Sequence, residues 1–229
     1  MRLENEIGAV LNSQNYPIYN IIIETLKIFK FKGLIYMAGI RKECGFSTSK
    51  VLTLLVLLPL MTLKNVHQLY QSEYAKIAAM QKDTLYRLKN DERYNWRSLL
   101  YMVANMFKKL TAESENGKIT ALIIDDTCDQ RTGYKMEKIS YVFDHVLKKS
   151  VTRFKILTLS FFDGTSNIPL DFTIHTEKKL ERKKAKKQHK KEVDPKSHGA
   201  KRRKEAKDTK IEQAIAMIKR AVKKGFVPL

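Results

Sequence analysis

Cysteine is almost absent from this 229-residue chain: Cys44 and Cys128 stand far apart, with no Cys-x-x-Cys and no Cys/His cluster. That spacing argues against a disulfide framework or a zinc site and fits a reducing, cytoplasmic setting. Long apolar runs are missing too. The longest, residues 51–63, has 13 positions interrupted by Pro59, short of the roughly 18 to 20 needed to cross a bilayer. It reads as a buried helix, and no membrane partner is expected. Arg2 is followed by Glu4 and Glu6 rather than by a compact apolar stretch, so the N-terminus does not read as a secretory signal.

Acids are the other scarce class. The chain has 24 Asp and Glu against 44 Lys and Arg, a net charge of +20. Such a field attracts polyanions whatever the fold beneath it, which makes nucleic acid the leading partner class. Apolar residues at 43% and charged residues at 30% describe a folded protein rather than a disordered tail. The length allows one large domain or two small ones, at roughly 100 to 200 residues per domain.

The expected architecture is α+β in two parts. Over residues 1–111 apolar positions recur at helical spacing, as in Leu99, Leu100, Met102, Val103 and Met106, so this region reads as helical. Ser47, Thr48 and Ser49 offer N-caps for a helix near Val51, and Pro59 should kink or end it. Residues 82–89 read as a short helix capped by Asp83, with Arg87 and Lys89 exposed. Such a helix would suit DNA reading, as readily as it would form an ordinary amphipathic element.

From residue 112 the pattern changes. Residues 119–124 form a short apolar, β-branched run closed by acids, as a buried strand does. Residues 154–162 and 168–176 read as two further strands joined by the polar turn 163–167, with Pro169 at a strand start. After a basic segment, Ile211, Ala214, Ile215 and Ile218 mark a helix ended by Lys223, Lys224 and Gly225 in the manner of a C-cap. Residues 226–229 read as the beginning of another strand.

The chemistry centres on two adjacent acids, Asp125 and Asp126, at the end of the first strand. Strand, strand, strand, helix and the start of a strand, with a carboxylate closing the first, is the opening order of an RNase H-like fold. Side chains alternate along a strand, so these two acids point to opposite faces and only one can meet a given metal pair. A turn-capping role for both is the plainer alternative. Asp144 and His145 form a second polar pair, read as satisfying its own hydrogen bonds rather than binding metal.

Leu122-Ile123-Ile124-Asp125-Asp126-Thr127, Gly133, residues 137–145, Phe154-Lys155-Ile156-Leu157-Thr158-Leu159, Asp163-Gly164 and Ile168-Pro169-Leu170-Asp171-Phe172 together resemble the DDE transposases of bacterial insertion sequences. The resemblance spans roughly residues 95–229. It implies a site of two Asp and one Glu that cuts and joins transposon-end DNA with two Mg²⁺ or Mn²⁺ ions, hard cations that select oxygen ligands. The Asp-x-Thr register of the family falls on Asp125 as the first catalytic carboxylate and metal ligand. The second Asp and the Glu would lie beyond Leu229, so the resemblance implies an N-terminal part only, inactive in strand transfer by itself. A homo-oligomer or a downstream complementary fragment is then an expected partner.

Residues 178–210 hold 16 Lys and Arg against five acids, with no aromatic residue. This segment reads as a solvated basic insertion whose cations, among them Lys183, Lys184, Lys186, Lys187, Lys190, Lys191, Lys201, Arg202, Arg203 and Lys204, meet phosphates rather than bases. A non-catalytic basic DNA- or RNA-binding protein is the competing function. It would need no acid at a strand end.

Overall fold

The computed structural model describes residues 17–76, 80–111, 119–133, 135–176 and 191–228. Two compact units divide the chain, Met1–Leu99 and Leu100–Leu229.

The first unit is helical as expected: α1 (Pro17–Ile28), α2 (Phe31–Met37), α3 (Thr48–Leu57), α4 (Val66–Gln71), a 3₁₀ turn (Glu73–Lys76) and α5 (Lys82–Lys89). Ser47 caps α3, its hydroxyl accepting the Lys50 N–H. The helix stops at Leu57, two residues before Pro59, as the missing backbone donor requires. Leu54, Leu57, Leu69, Leu85 and Leu88 are fully buried, and α5 packs on α3 and α4. Asp83 does not cap α5: the N-cap is Gln81 and Asp83 lies in the first turn, where its charge still complements the helix dipole.

The long helix α6 (Trp96–Thr111) leads into the second unit. There four antiparallel strands form one sheet: β1 (Ala121–Gln130), β2 (Ser140–Asp144), β3 (Lys149–Phe162) and β4 (Asn167–His175). The long β3 is the axis. β1 pairs along one edge, while β2 and β4 share the other, β2 beside residues 149–153 and β4 beside residues 155–162. The hairpin β3–β4 lies where the sequence places it. Its turn is closed by Asp163, whose carboxylate accepts the N–H groups of Thr165 and Ser166. Pro169 sits in the third position of β4, next to a bulge that leaves Leu170 unpaired.

Two helices complete the unit, α7 (His198–Glu205) and α8 (Lys210–Lys223). The core lies between one sheet face and the helices: Leu157, Leu159 and Phe161 of β3 meet Ile168 and Leu170 of β4, Met217 and Ala221 of α8, and Tyr101 and Ala104 of α6. α8 starts with a capping box between Thr209 and Glu212. It ends in a Schellman turn: Gly225 takes φ 86°, and the Phe226 N–H returns to the Ala221 carbonyl at 3.1 Å. Glycine reaches that left-handed backbone without a Cβ clash.

Three expectations need correcting. β1 runs to Gln130, well past the apolar stretch, because pairing with β3 holds its polar half. Residues 226–228 form no strand; Phe226 instead drops wholly buried against Tyr101 and Phe161. The basic segment is not a loop throughout. Residues 177–190 lie outside the described residues, but residues 198–205 form α7, capped by Ser197 through the Ala200 N–H.

Candidate active site

The strand register decides where the acid pair points. Asp126 is the partner of Leu157, a core residue, and so lies on the helix-covered face; Asp125 is the partner of Thr158 and lies on the other. Among the described residues that other face is open. Along β3 the residues 151, 157, 159 and 161 are buried, whereas every even-numbered residue from 150 to 162 is only half-buried.

The two carboxylates therefore have different company. Asp126 forms an ion pair with Lys210, the first residue of α8. Both carboxylates are exposed, but among the described residues Asp125 has no such cation and accepts a hydrogen bond from the Thr127 hydroxyl at 3.3 Å. The Thr158 hydroxyl donates to the Asp125 backbone carbonyl, also at 3.3 Å, which ties the acid's main chain to the middle strand. An exposed carboxylate on a paired strand is rigidly held yet open to a ligand.

The other acids serve the fold. Asp144 accepts the N–H groups of Val146 and Leu147 at 2.8 and 2.9 Å and pairs with Arg153, so its hydrogen bonds are satisfied as the sequence predicts, here by closing the turn after β2, a strand that the sequence reading did not expect. His145 lies edge-on to Phe143. Asp129 pairs with Arg131. Asp171 is buried and bound by Arg220 of α8 at 2.8 Å, and the same guanidinium reaches Glu205 at 2.7 Å. Burial works against the Arg220 charge, but the two carboxylates outweigh it and raise its pKa.

Among the described residues no group of three His, Cys, Asp or Glu side chains is placed to hold a metal ion. Asp125 alone does not make up the set of oxygen ligands that a two-metal centre takes, so the fit to such a centre is partial.

Of the ten cations singled out in the basic segment, Lys183, Lys184, Lys186, Lys187 and Lys190 lie outside the described residues. Lys191 precedes α7, and the other four are on it. Lys201 and Lys204 are exposed, Arg203 binds Glu137 at 2.8 Å, and Arg202 donates to the Phe172 carbonyl at 2.8 Å. α7 is thus fastened to the sheet. Its end is held by the Thr176 N–H on the Ala206 carbonyl and by the buried Gln213, whose amide donates to the Glu205 carbonyl. The sequence reading missed this clasp and the Lys210–Asp126 pair, because the partners lie far apart in the chain.

In the first unit, a cleft of about 830 Å³ is lined by Lys27, Lys30, Lys32, Arg41 and Lys42, with no acid among its described lining residues. No helix of the described residues is long and apolar enough to cross a membrane.

An antiparallel sheet with helices on one face and an acid on the open side of its first strand defines an α+β domain of the RNase H-like type. A family model for the DDE superfamily endonucleases matches residues 66–226, well over half of the chain, and the chain belongs to that family. No curated protein and no solved structure matches it. Membership makes this a nuclease- or transposase-type domain of a family that acts on DNA and typically uses divalent metals.

Proposed function

We propose that this chain binds transposon-end DNA as part of an insertion-sequence transposase, with Asp125 as the first metal ligand of the strand-cleavage and transfer site. The observation that carries the reading is the split of the acid pair: Lys210 engages Asp126 on the covered face, while Asp125 stands on the open one. Mg²⁺ or Mn²⁺ suits a hard carboxylate oxygen. On this reading the remaining carboxylates come from outside the described residues. Among the described residues the domain positions one ligand, and on this reading the chain by itself transfers no strand.

DNA is held through its backbone. The basic insertion and the lysine- and arginine-lined cleft of the helical region supply cations, which release counterions from phosphates as they bind. We take the helical region and the sheet domain to be separate functional parts, one binding DNA and one presenting the acid.

Binding of a short random duplex, followed by fluorescence anisotropy over a salt series, tests this reading. Affinity is expected to fall steeply as salt rises, and DNA is expected to be preferred to an RNA duplex of the same sequence. A salt-resistant preference for RNA would favour the non-catalytic RNA-binding alternative. Cleavage or strand transfer by the isolated chain with Mn²⁺, abolished by Asp125→Ala, would overturn the one-ligand account.

A further inference from the structure

β1 reaches along β3 only to Arg153 and β4 only to Lys155. Over residues 149–152 β3 therefore pairs with β2 alone among the strands, and the ends of the two form a two-stranded arm. Its root is fixed by the Arg131 N–H on the Thr152 carbonyl at 3.1 Å. Its tip is His145-Val146-Leu147-Lys148. Turns usually gather Gly, Asn, Asp or Ser, each for the backbone it allows or the hydrogen bond it makes. Here apolar side chains stand in solvent instead: Val146 is 90% exposed, Leu147 48% and Phe143, beside the tip, 51%. Lys148 takes φ 49°, a left-handed backbone that glycine reaches at less cost.

We propose that this tip is a wedge for DNA: Leu147, with Val146 beside it, enters between base pairs of a bound duplex while Lys148 and Lys149 take the flanking phosphates. The inference rests on the reading that the chain binds DNA and deepens it. A contiguous apolar patch kept in water marks a surface that meets a partner, and apolar side chains pushed between base steps unstack them and kink the duplex. Charge selects DNA as that partner. Lys148 and Lys149 are exposed, whereas the Asp144 carboxylate at the base of the turn is taken up by Arg153 and by the N–H groups of Val146 and Leu147. The same bonds hold the tip in one shape, so little ordering entropy is lost when it inserts. Lys149 precedes Thr158, the register partner of Asp125, by nine residues of β3. At ordinary strand rise that is roughly 30 Å, or about nine base-pair rises. Nine base pairs is close to one helical turn of B-DNA, so a duplex lying along β3 meets the tip and Asp125 on nearly the same side.

The test is binding by the full chain, in EDTA, of a duplex of about 20 base pairs, roughly 70 Å long, that carries a donor dye at one end and an acceptor at the other. Energy transfer is expected to rise on binding as the duplex kinks by ~20–90°. Val146→Ser with Leu147→Ser should keep the salt slope, weaken binding about three- to tenfold and lose the rise in transfer. Leu147→Phe should keep the bend. Lys148→Gln with Lys149→Gln should lower the salt slope by about 2. A duplex that stays straight on the wild-type chain, or a bend that persists in the double serine variant, would overturn the proposal. A serine variant that bends DNA normally but shifts the oligomeric state in sedimentation would assign the tip to a protein partner instead. Should that variant fail to fold, benzoylphenylalanine in place of Val146 is expected to photocross-link to the duplex, and in place of Val222, on α8, it is not; equal yields would also overturn it. Steeply salt-dependent binding of an unbent duplex removes only this inference. Absence of duplex binding removes the DNA reading, and this inference with it.

Discussion

Lys210, at the start of α8, forms an ion pair with Asp126 of β1, 84 residues earlier in the chain. One acid of the adjacent pair thereby holds a helix against the sheet, and its neighbour is the one to which our proposal assigns the chemistry. Both partners are more than a third exposed, at 37% and 43%, so the pair contributes at most about 1 kcal/mol. Asp126→Asn is expected to lower the thermal midpoint only slightly and to leave DNA binding unchanged, as differential scanning fluorimetry and anisotropy will read.

Arg220 is a different case. Its partner Asp171 has a fully buried side chain, and removing the guanidinium leaves a carboxylate in the core face without its cation. Because Arg220 itself is partly exposed, we expect Arg220→Ala to cost on the order of 2 to 3 kcal/mol, below the full penalty for breaking a buried pair. The raised pKa of Arg220 fixes the sign of its pH dependence. Its contribution is fully present below the ordinary arginine value and is lost only as pH rises through the still higher folded one. Urea denaturation should therefore show the same deficit at every neutral or mildly alkaline pH.

Phe226 plugs the space between Tyr101 and Phe161 and is fully buried. Phe226→Ala should cost about 3 to 5 kcal/mol through lost transfer energy and the cavity left behind. Phe226→Leu should recover much of that loss in the same denaturation experiment.

In the first unit, burial raises the pKa of Tyr70 and of Tyr94; the Tyr94 hydroxyl donates to the Arg41 carbonyl at 2.7 Å. A phenol with a raised folded pKa binds its proton more tightly in the native state, so stability is fully present below the unfolded value of about 10 and declines as pH rises beyond it. Absorbance titration of the phenolates should show these two ionising after the exposed tyrosines. Tyr94→Phe should cost about 1 kcal/mol at neutral pH and flatten the alkaline decline.

Legibility in the sequence followed burial. The β3–β4 hairpin was readable because apolar and β-branched residues flank an Asp-Gly turn, and α8 because one apolar stripe meets a glycine stop. The outer half of β1, residues 125–130, carries no such pattern; it is a strand because β3 pairs with it. α7 has no buried residue and so no periodic signal, and it is held by polar contacts to residues 30 and 66 positions earlier. At the site, alternation alone foretold that Asp125 and Asp126 part company. Which of them meets the helix, and which the open face, needed the register with β3 and the position of Lys210.

The central claim is that Asp125, and not Asp126, is the metal-binding acid, and iron-mediated cleavage of the polypeptide tests it most directly. With Fe²⁺ and ascorbate in place of Mg²⁺, the chain should be cut near Asp125 on β1 and near Thr158 on β3, and the cuts should vanish in Asp125→Asn but persist in Asp126→Asn. Cuts that survive Asp125→Asn and disappear in Asp126→Asn would contradict the account.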